Sequence, residues 1–276
     1  MDKDTIKRLI IEYQQFVANI TLIEREIHLS HQLNYVFVGL RRAGKSYLMY
    51  QQIQSLLNDG HQPEEILYFN FEDDRLVNLT VEDLDLIKVS YEELYPHKPI
   101  FFLDEIQIVE HWEKFARRLA DQQYRVYITG SNAKMLSAEI ATTLGGRYIV
   151  QNVYPFSFSE FLKASKIEIG PTWYYKNRTE IVRTFSDYFS YGGLPELMLI
   201  ETIEKRQWLS NLFNKIFFGD LITRYSIRND LAMKVLIRKL AESVKQPSSF
   251  NRLTNIVSTT GAKVSTDTII DYLNFL

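Results

Sequence analysis

Tyr35-Val36-Phe37-Val38-Gly39-Leu40-Arg41-Arg42-Ala43-Gly44-Lys45-Ser46 is a β-branched and aromatic run that breaks at glycine and passes directly into a helical pattern. Residues 39–46 match G-x-x-x-x-G-K-[ST] in full, in the strand–turn–helix setting that gives the pattern its meaning. Small residues let the backbone curl until successive N–H groups face a β-phosphate. The helix behind them adds the positive end of its dipole. Lys45 would then reach the β- and γ-phosphates and Ser46 would set its hydroxyl on magnesium. Arg41, Arg42, Ala43, Gly44 and Tyr47 complete the expected nucleotide-binding stretch.

Working outward, the helix that starts near Lys45 turns Leu48, Ile53, Leu56 and Leu57 inward and stops at Asp59-Gly60. Ile66-Leu67-Tyr68-Phe69 reads as a second strand, and residues 81–96 as a helix. Ile100-Phe101-Phe102-Leu103 is an unbroken apolar run, typical of a strand covered on both faces, and Asp104 closes it. A helix from Trp112 to Leu119 leads to a fourth strand, Val126-Tyr127-Ile128, ending at Gly130-Ser131-Asn132. A short helix then precedes Tyr148-Ile149-Val150. This alternation predicts an α/β fold, a parallel sheet flanked by helices, with ligands at the carboxyl ends of the strands.

From Tyr154 the pattern changes to aromatic-rich helices, broken near Ile169-Gly170-Pro171 and at Gly192-Gly193-Leu194-Pro195. From about Asn229 a long helix, residues 250–258, a Thr260-Gly261 turn and a last helix capped by Ser265 form a helix-turn-helix pattern. The expected division is 1–154, 155–228 and 229–276. The opening MDKDTIKRLIIEYQQF reads as a surface helix rather than a secretory signal.

Composition excludes several classes. The 46% hydrophobic and 24% charged shares are those of an ordinary globular chain. Lysine and arginine number 32 against 34 acids, so binding to nucleic acid or anionic lipid would have to be local. The absence of cysteine removes disulfides, thiolate zinc sites and thiol nucleophiles, and fits a reduced cytoplasm. No stretch approaches the roughly 20 apolar residues of a membrane span, so membrane insertion is not expected.

Asp104-Glu105 supplies what a phosphate-binding loop lacks by itself. Asp104, at the end of a buried strand, is the expected metal partner, directly or through water, and Glu105 the residue that polarises the attacking water. An isolated Asp-Glu pair more often caps a helix, but the buried strand before it argues for chemistry. Ser131 and Asn132 end the fourth strand and either contact the γ-phosphate or lytic water or form a plain turn. Arg147, after Gly145-Gly146, is a solvated surface arginine or a cation for a γ-phosphate, in its own subunit or a neighbour's.

Taken in order, GLRRAGKS, FFLDEIQ, YITGSN, the Gly-Arg before YIVQNVYPFSFSEF, and YGGLPE resemble the prokaryotic AAA-type P-loop ATPases that carry a C-terminal domain of unknown function. The first two motifs are widely shared; the order of all five is far more specific. The resemblance covers nearly the whole chain. It implies an AAA-like sheet, a helical lid and a partial winged-helix region. It further implies Pro195 in the lid near the nucleotide, Ser131 or Asn132 as the sensor, and residues 20–26 near adenine. Sequences of this kind generally continue past the point where this one stops, inside a helical pattern, so a fragment or a shortened member is expected.

These readings converge on an ATP-binding, Mg-dependent ATPase that couples hydrolysis to conformational change in a protein partner, with oligomerisation possible. A P-loop small-molecule kinase is the first alternative, disfavoured because such kinases more often lack the metal-plus-base pair of Asp104 and Glu105 on a central strand. GTP is disfavoured because no N-K-x-D tetrad occurs. A nucleotide-gated DNA-binding protein is the second alternative. Its reading helix, residues 266–276, holds Asp267 and Asp271 and no lysine or arginine, which opposes contact with phosphates. Lys245, Arg252 and Lys263 form at most a modest basic patch. A nucleotide kept as a fixed support without turnover is the third.

Overall fold

The computed structural model describes residues 2–76, 79–130, 140–167, 170–261 and 264–276. Five strands, β1 (Asn34–Val38), β2 (Ile66–Asn70), β3 (Ile100–Asp104), β4 (Val126–Gly130) and β5 (Tyr148–Asn152), pair in parallel in the order β2-β3-β4-β1-β5. The glycine-rich loop after β1 and the acid pair at the end of β3 therefore open on the same edge, with β4 between them.

Alternation of side chains across the strands builds two cores. Val36, Leu67, Phe101, Leu103 and Ile128 face one layer, with Leu84 of α3 (Val81–Leu94) and Trp112, Phe115 and Leu119 of α4 (Trp112–Asp121). Tyr35, Phe37, Tyr68, Phe102 and Tyr127 face the other, with Leu48, Ile53 and Leu56 of α2 (Lys45–Asn58). β3 is buried at every position, as a strand with helices on both faces must be. Strand β5, at the edge, exposes Ile149 and Val150.

The amino-terminal helix α1 (Lys3–Asn19) is more than the surface helix expected from its charges. Ile6, Leu9 and Ile10, at i, i+3 and i+4, are fully buried in the first core, and Val17 lies in the second. Gln14 Nε2 donates to the carbonyl of Ile66 at 2.9 Å, satisfying an acceptor on the edge strand β2.

Beyond the sheet come α5 (Phe158–Ala164), α6 (Arg178–Tyr191) and a 3₁₀ turn, Pro195–Leu199. The composition change near Pro155 falls inside a compact unit, Met1–Glu201. Physical ties from residues 154–160 back to the β1 loop, described below, account for that.

A second unit, Thr202–Leu276, comprises α7 (Thr202–Lys215), a π-helical segment Ile216–Thr223, α8 (Asp230–Glu242), α9 (Phe250–Thr259) and α10 (Thr266–Phe275). Its own core holds Phe217, Met233, Leu236, Leu253, Val257 and Ile269. Asn229, Ser249 and Ser265 cap α8, α9 and α10 through their side chains. The helix-turn-helix pattern is present as α9 and α10, and no strand occurs among the described residues of this unit. No helix among the described residues is long and apolar enough to cross a membrane.

Candidate functional site

Gly39 ends β1 because the chain there presses against the β5 exit: a Cβ on it would lie 2.1 Å from the Val153 carbonyl oxygen. The loop then turns through Arg42 (φ 65°) and Gly44 (φ 96°), closed by a hydrogen bond from Ala43 N to the Leu40 carbonyl at 3.2 Å. Gly44 sits in the left-handed region that suits a residue without Cβ. Helix α2 starts at Lys45, aiming its amino end at the loop's concavity.

Lys45 is 5% exposed. Its Nζ lies 3.3 and 3.2 Å from the carbonyl oxygens of Gly39 and Leu40 and 3.7 Å from Glu105 Oε1. Burial lowers its pKa, and the negative charges of Glu105 and Asp104 oppose that shift. The ammonium thus stands at the mouth of the loop, joined electrostatically to an acid 60 residues further along the chain.

Asp104 is buried at 2% exposure and held from both sides. Tyr68 donates its hydroxyl to Oδ2 at 2.7 Å, and the Thr129 hydroxyl donates to Oδ1. Thr129 Oγ1 also accepts from Glu105 N at 2.9 Å, so one hydroxyl of β4 fixes both members of the acid pair. Desolvation raises the Asp104 pKa; hydrogen bonds from Thr129, Tyr68 and Ser46 act against it. Glu105 adopts φ 56°, which turns its carboxylate away from the strand direction toward Lys45 and into a hydrogen bond from Gln107 Nε2.

Ser46 and Asp104 supply hard oxygen donors at this edge of the sheet, with Asp104 buried between the hydroxyls of Tyr68 and Thr129. A small divalent cation completed by phosphate and water oxygens suits such a pair. No cluster of three or more His, Cys, Asp or Glu side chains capable of holding a metal occurs among the described residues.

Other expected positions divide. Pro195 reaches the loop: its Cγ lies 3.9 Å from where a Cβ on Gly44 would stand, and Arg42 pairs with the adjacent Glu196. Arg41 lies 3.7 Å from Glu72 Oε1. Tyr47 is half-exposed on α2, its ring 5.4 Å from that of Tyr50. Ser131 and Asn132 lie outside the described residues. Arg147 is not brought to this edge: it precedes β5, whose first residue registers with Asn34 at the start of β1, and it pairs with Asp121. With strands of five residues, roughly 16 Å of sheet separates it from the loop of its own chain.

Residues to which motif reading gave no role of their own are Tyr68, Thr129, Gln107, Arg25 and Glu160. Arg25, 5% exposed, donates from Nε to Glu160 Oε1 at 2.8 Å, from Nη1 to the Ala43 carbonyl at 3.0 Å and from Nη2 to the Tyr154 carbonyl at 2.7 Å. Its guanidinium also covers the Phe156 ring at 5.1 Å. Glu160 caps α5 with Ser157 in a capping box, a pattern visible in the sequence as Ser-Phe-Ser-Glu. The pairing with Arg25, 135 residues away, carries no local signal.

Residues 31–162 match the family model described as an AAA domain, and residues 182–276 match a domain of unknown function (DUF8612). The chain is 32% identical over 277 residues to an uncharacterized protein of Methanocaldococcus jannaschii, covering 99% of this chain and 61% of that one. It is 33% identical over 267 residues to an uncharacterized protein of Haemophilus influenzae, covering 92% of this chain and 64% of that one. The chain thus spans less than two thirds of the length of these relatives. Among solved structures it is similar to the Aeropyrum pernix Orc1 protein in complex with DNA, at 13% identity and a TM-score of 0.35, covering 99% of this chain and 82% of that chain. It is also similar to AMPPCP-bound DnaA from Aquifex aeolicus, at 12% identity and a TM-score of 0.36, covering 97% and 85%. The chain thus carries an AAA domain followed by a C-terminal domain of unknown function, the order that its motifs predict.

Proposed function

We propose that the chain binds ATP with Mg²⁺ and hydrolyses it, and that turnover drives a conformational change acting on a protein partner. The observation that carries this reading is the meeting of Lys45 with Glu105, 3.7 Å apart, above the buried Asp104. A loop that only cradled phosphate would not require a carboxylate beside its lysine.

In this reading the loop amides of residues 39–46 and the α2 amino end bind the phosphates, and Lys45 leaves the Gly39 and Leu40 carbonyls to bridge the β- and γ-oxygens. Ser46 and Asp104 hold the cation. When bound, magnesium neutralises charge on the β- and γ-phosphates and orders them for in-line attack. Glu105, freed from Lys45 and still held by Gln107, accepts a hydrogen bond from the lytic water and takes its proton as the water attacks.

Glu105→Gln is expected to retain ATP affinity, measured by calorimetric titration, and to lower phosphate release on the order of 100-fold or more. Lys45→Ala is expected to weaken affinity and turnover together. Unchanged turnover in the Gln variant would remove Glu105 from the chemistry; a parent protein that takes up no ATP with Mg²⁺ would remove the whole reading.

A further inference from the structure

A phosphate loop works only if its peptide units are turned the right way round. In a trans peptide the carbonyl of one residue and the N–H of the next point in opposite directions, so whatever holds the carbonyl also aims the amide. All described peptide bonds here are trans. The carbonyl of Ala43 accepts from Arg25 Nη1 at 3.0 Å, and the amide at the other end of that unit belongs to Gly44, inside the G-x-x-x-x-G-K-[ST] loop.

We infer that Arg25 is a positioning residue for phosphate recognition: by holding the Ala43 carbonyl on the outer side of the loop it directs the Gly44 N–H into the loop's concavity. The inference rests on the nucleotide-binding reading above and adds a residue outside every motif.

Several features show that Arg25 is itself immobilised and can act as a fixed reference. Its backbone N donates to Gln51 Oε1 at 2.7 Å and its carbonyl accepts from Gln51 Nε2 at 3.1 Å, so the residue is clamped to α2, the helix the loop feeds. Its side chain is anchored by Glu160, the Tyr154 carbonyl and the Phe156 ring. Phe156 N in turn donates to the Gly193 carbonyl at 2.7 Å. A Cβ on Gly44 would stand 3.3 Å from Arg25 Nη1, so glycine there also leaves room for the guanidinium. The cation on the carbonyl oxygen draws electron density through the peptide and makes the Gly44 N–H a stronger donor to an anion. Glu160 supplies the counter-charge that lets a guanidinium remain buried.

The test compares ADP affinity with Mg²⁺ by calorimetry in the parent, Glu160→Gln, Arg25→Lys and the double variant Arg25→Met/Glu160→Gln, with unfolding temperature followed alongside. Arg25→Met alone would leave Glu160 buried without a partner, so the double variant removes both charges. Glu160→Gln keeps the Arg25–Ala43 bond and is expected to lower the unfolding temperature while ADP affinity stays within about threefold. The double variant is expected to lose roughly tenfold or more in ADP affinity, with KM for ATP raised more than kcat is lowered, because the loop amide binds phosphate in ground and transition states alike. Arg25→Lys, which keeps charge but loses the fork, is expected to fall between them. If the double variant unfolds, Arg25→Lys decides. Parental affinity in a folded Arg25 variant overturns the inference, as does an equal loss in Glu160→Gln, which would make the pair a structural tie alone. A parent that fails to bind ADP is a different failure, that of the nucleotide reading.

Discussion

Thr129 is the residue on which the acid pair turns. Its hydroxyl accepts from the Glu105 N–H and donates to Asp104 Oδ1, at a fully buried position of β4. One small polar side chain thus fixes the backbone at a left-handed glutamate and one oxygen of a buried carboxylate. Valine has the same shape without the hydroxyl, so Thr129→Val removes both bonds and leaves a buried donor and acceptor unsatisfied. A loss of about 1–3 kcal/mol in urea unfolding is expected. A higher Mg²⁺ concentration for half-maximal nucleotide binding is expected as well, because Asp104 would then be held by the Tyr68 hydroxyl alone. Tyr68→Phe removes the Oδ2 contact and a 3.1 Å hydrogen bond with the Tyr50 hydroxyl but leaves Glu105 untouched, so its effect on the Mg²⁺ requirement should be smaller. Equal effects of the two substitutions would show that the link through the Glu105 backbone carries no weight.

Among the elements, α1 shows how a helix is tied down by charge as well as by its apolar stripe. Tyr13 of α1 donates its hydroxyl to Asp73 Oδ2 at 2.6 Å, and Arg75 Nη2 binds the same oxygen at 2.8 Å while its Nη1 reaches Glu12 of α1 at 2.6 Å. The Arg75 guanidinium, followed by the Tyr13 hydroxyl and the Arg75 backbone amide, holds the Asp73 carboxyl well below its ordinary value of 3.8, and burial opposes them. A depressed folded pKa means that the unfolded chain takes up the extra proton first, so the contribution is complete above the unfolded pKa and is lost as pH falls toward the folded one. Asp73→Asn is therefore expected to cost about 1–2 kcal/mol at neutral pH. The gap between parent and variant should hold down to about pH 5 and narrow below about pH 4. A gap that does not change with pH would assign the loss to packing. This tie was invisible in the sequence, where α1 read as a surface helix, because Tyr13 and Asp73 are 60 positions apart. The sheet and the loop were legible for the opposite reason: unbroken apolar runs, glycine breaks and the Asp-Glu step are local signals. Thr129, Tyr68 and Arg25 act through partners 25, 36 and 135 positions away, beyond the reach of any spacing rule.

At the scale of the whole molecule, two separate interiors decide how ligand binding is felt. The cores on the two faces of the sheet draw only on residues of the first unit, and the core around Phe217, Leu236 and Ile269 only on the second. Lys45, Ser46, Asp104, Glu105, Arg25 and Pro195 all belong to Met1–Glu201. A ligand that binds only the native form stabilises what it binds by RT ln(1 + [L]/Kd), about 2.7 kcal/mol at roughly 100 times Kd. For a unit of this size that corresponds to an upward shift on the order of 5–10 °C. Calorimetric unfolding is therefore expected to show two transitions, with Mg-ADP moving the larger, that of the first unit, and leaving the smaller nearly in place. The enthalpy of the two should follow chain length, so the assignment can be made before ligand is added. One transition moving as a whole would mean that the units unfold as a single cooperative body, and nucleotide energy would then reach residues 202–276 without any further partner.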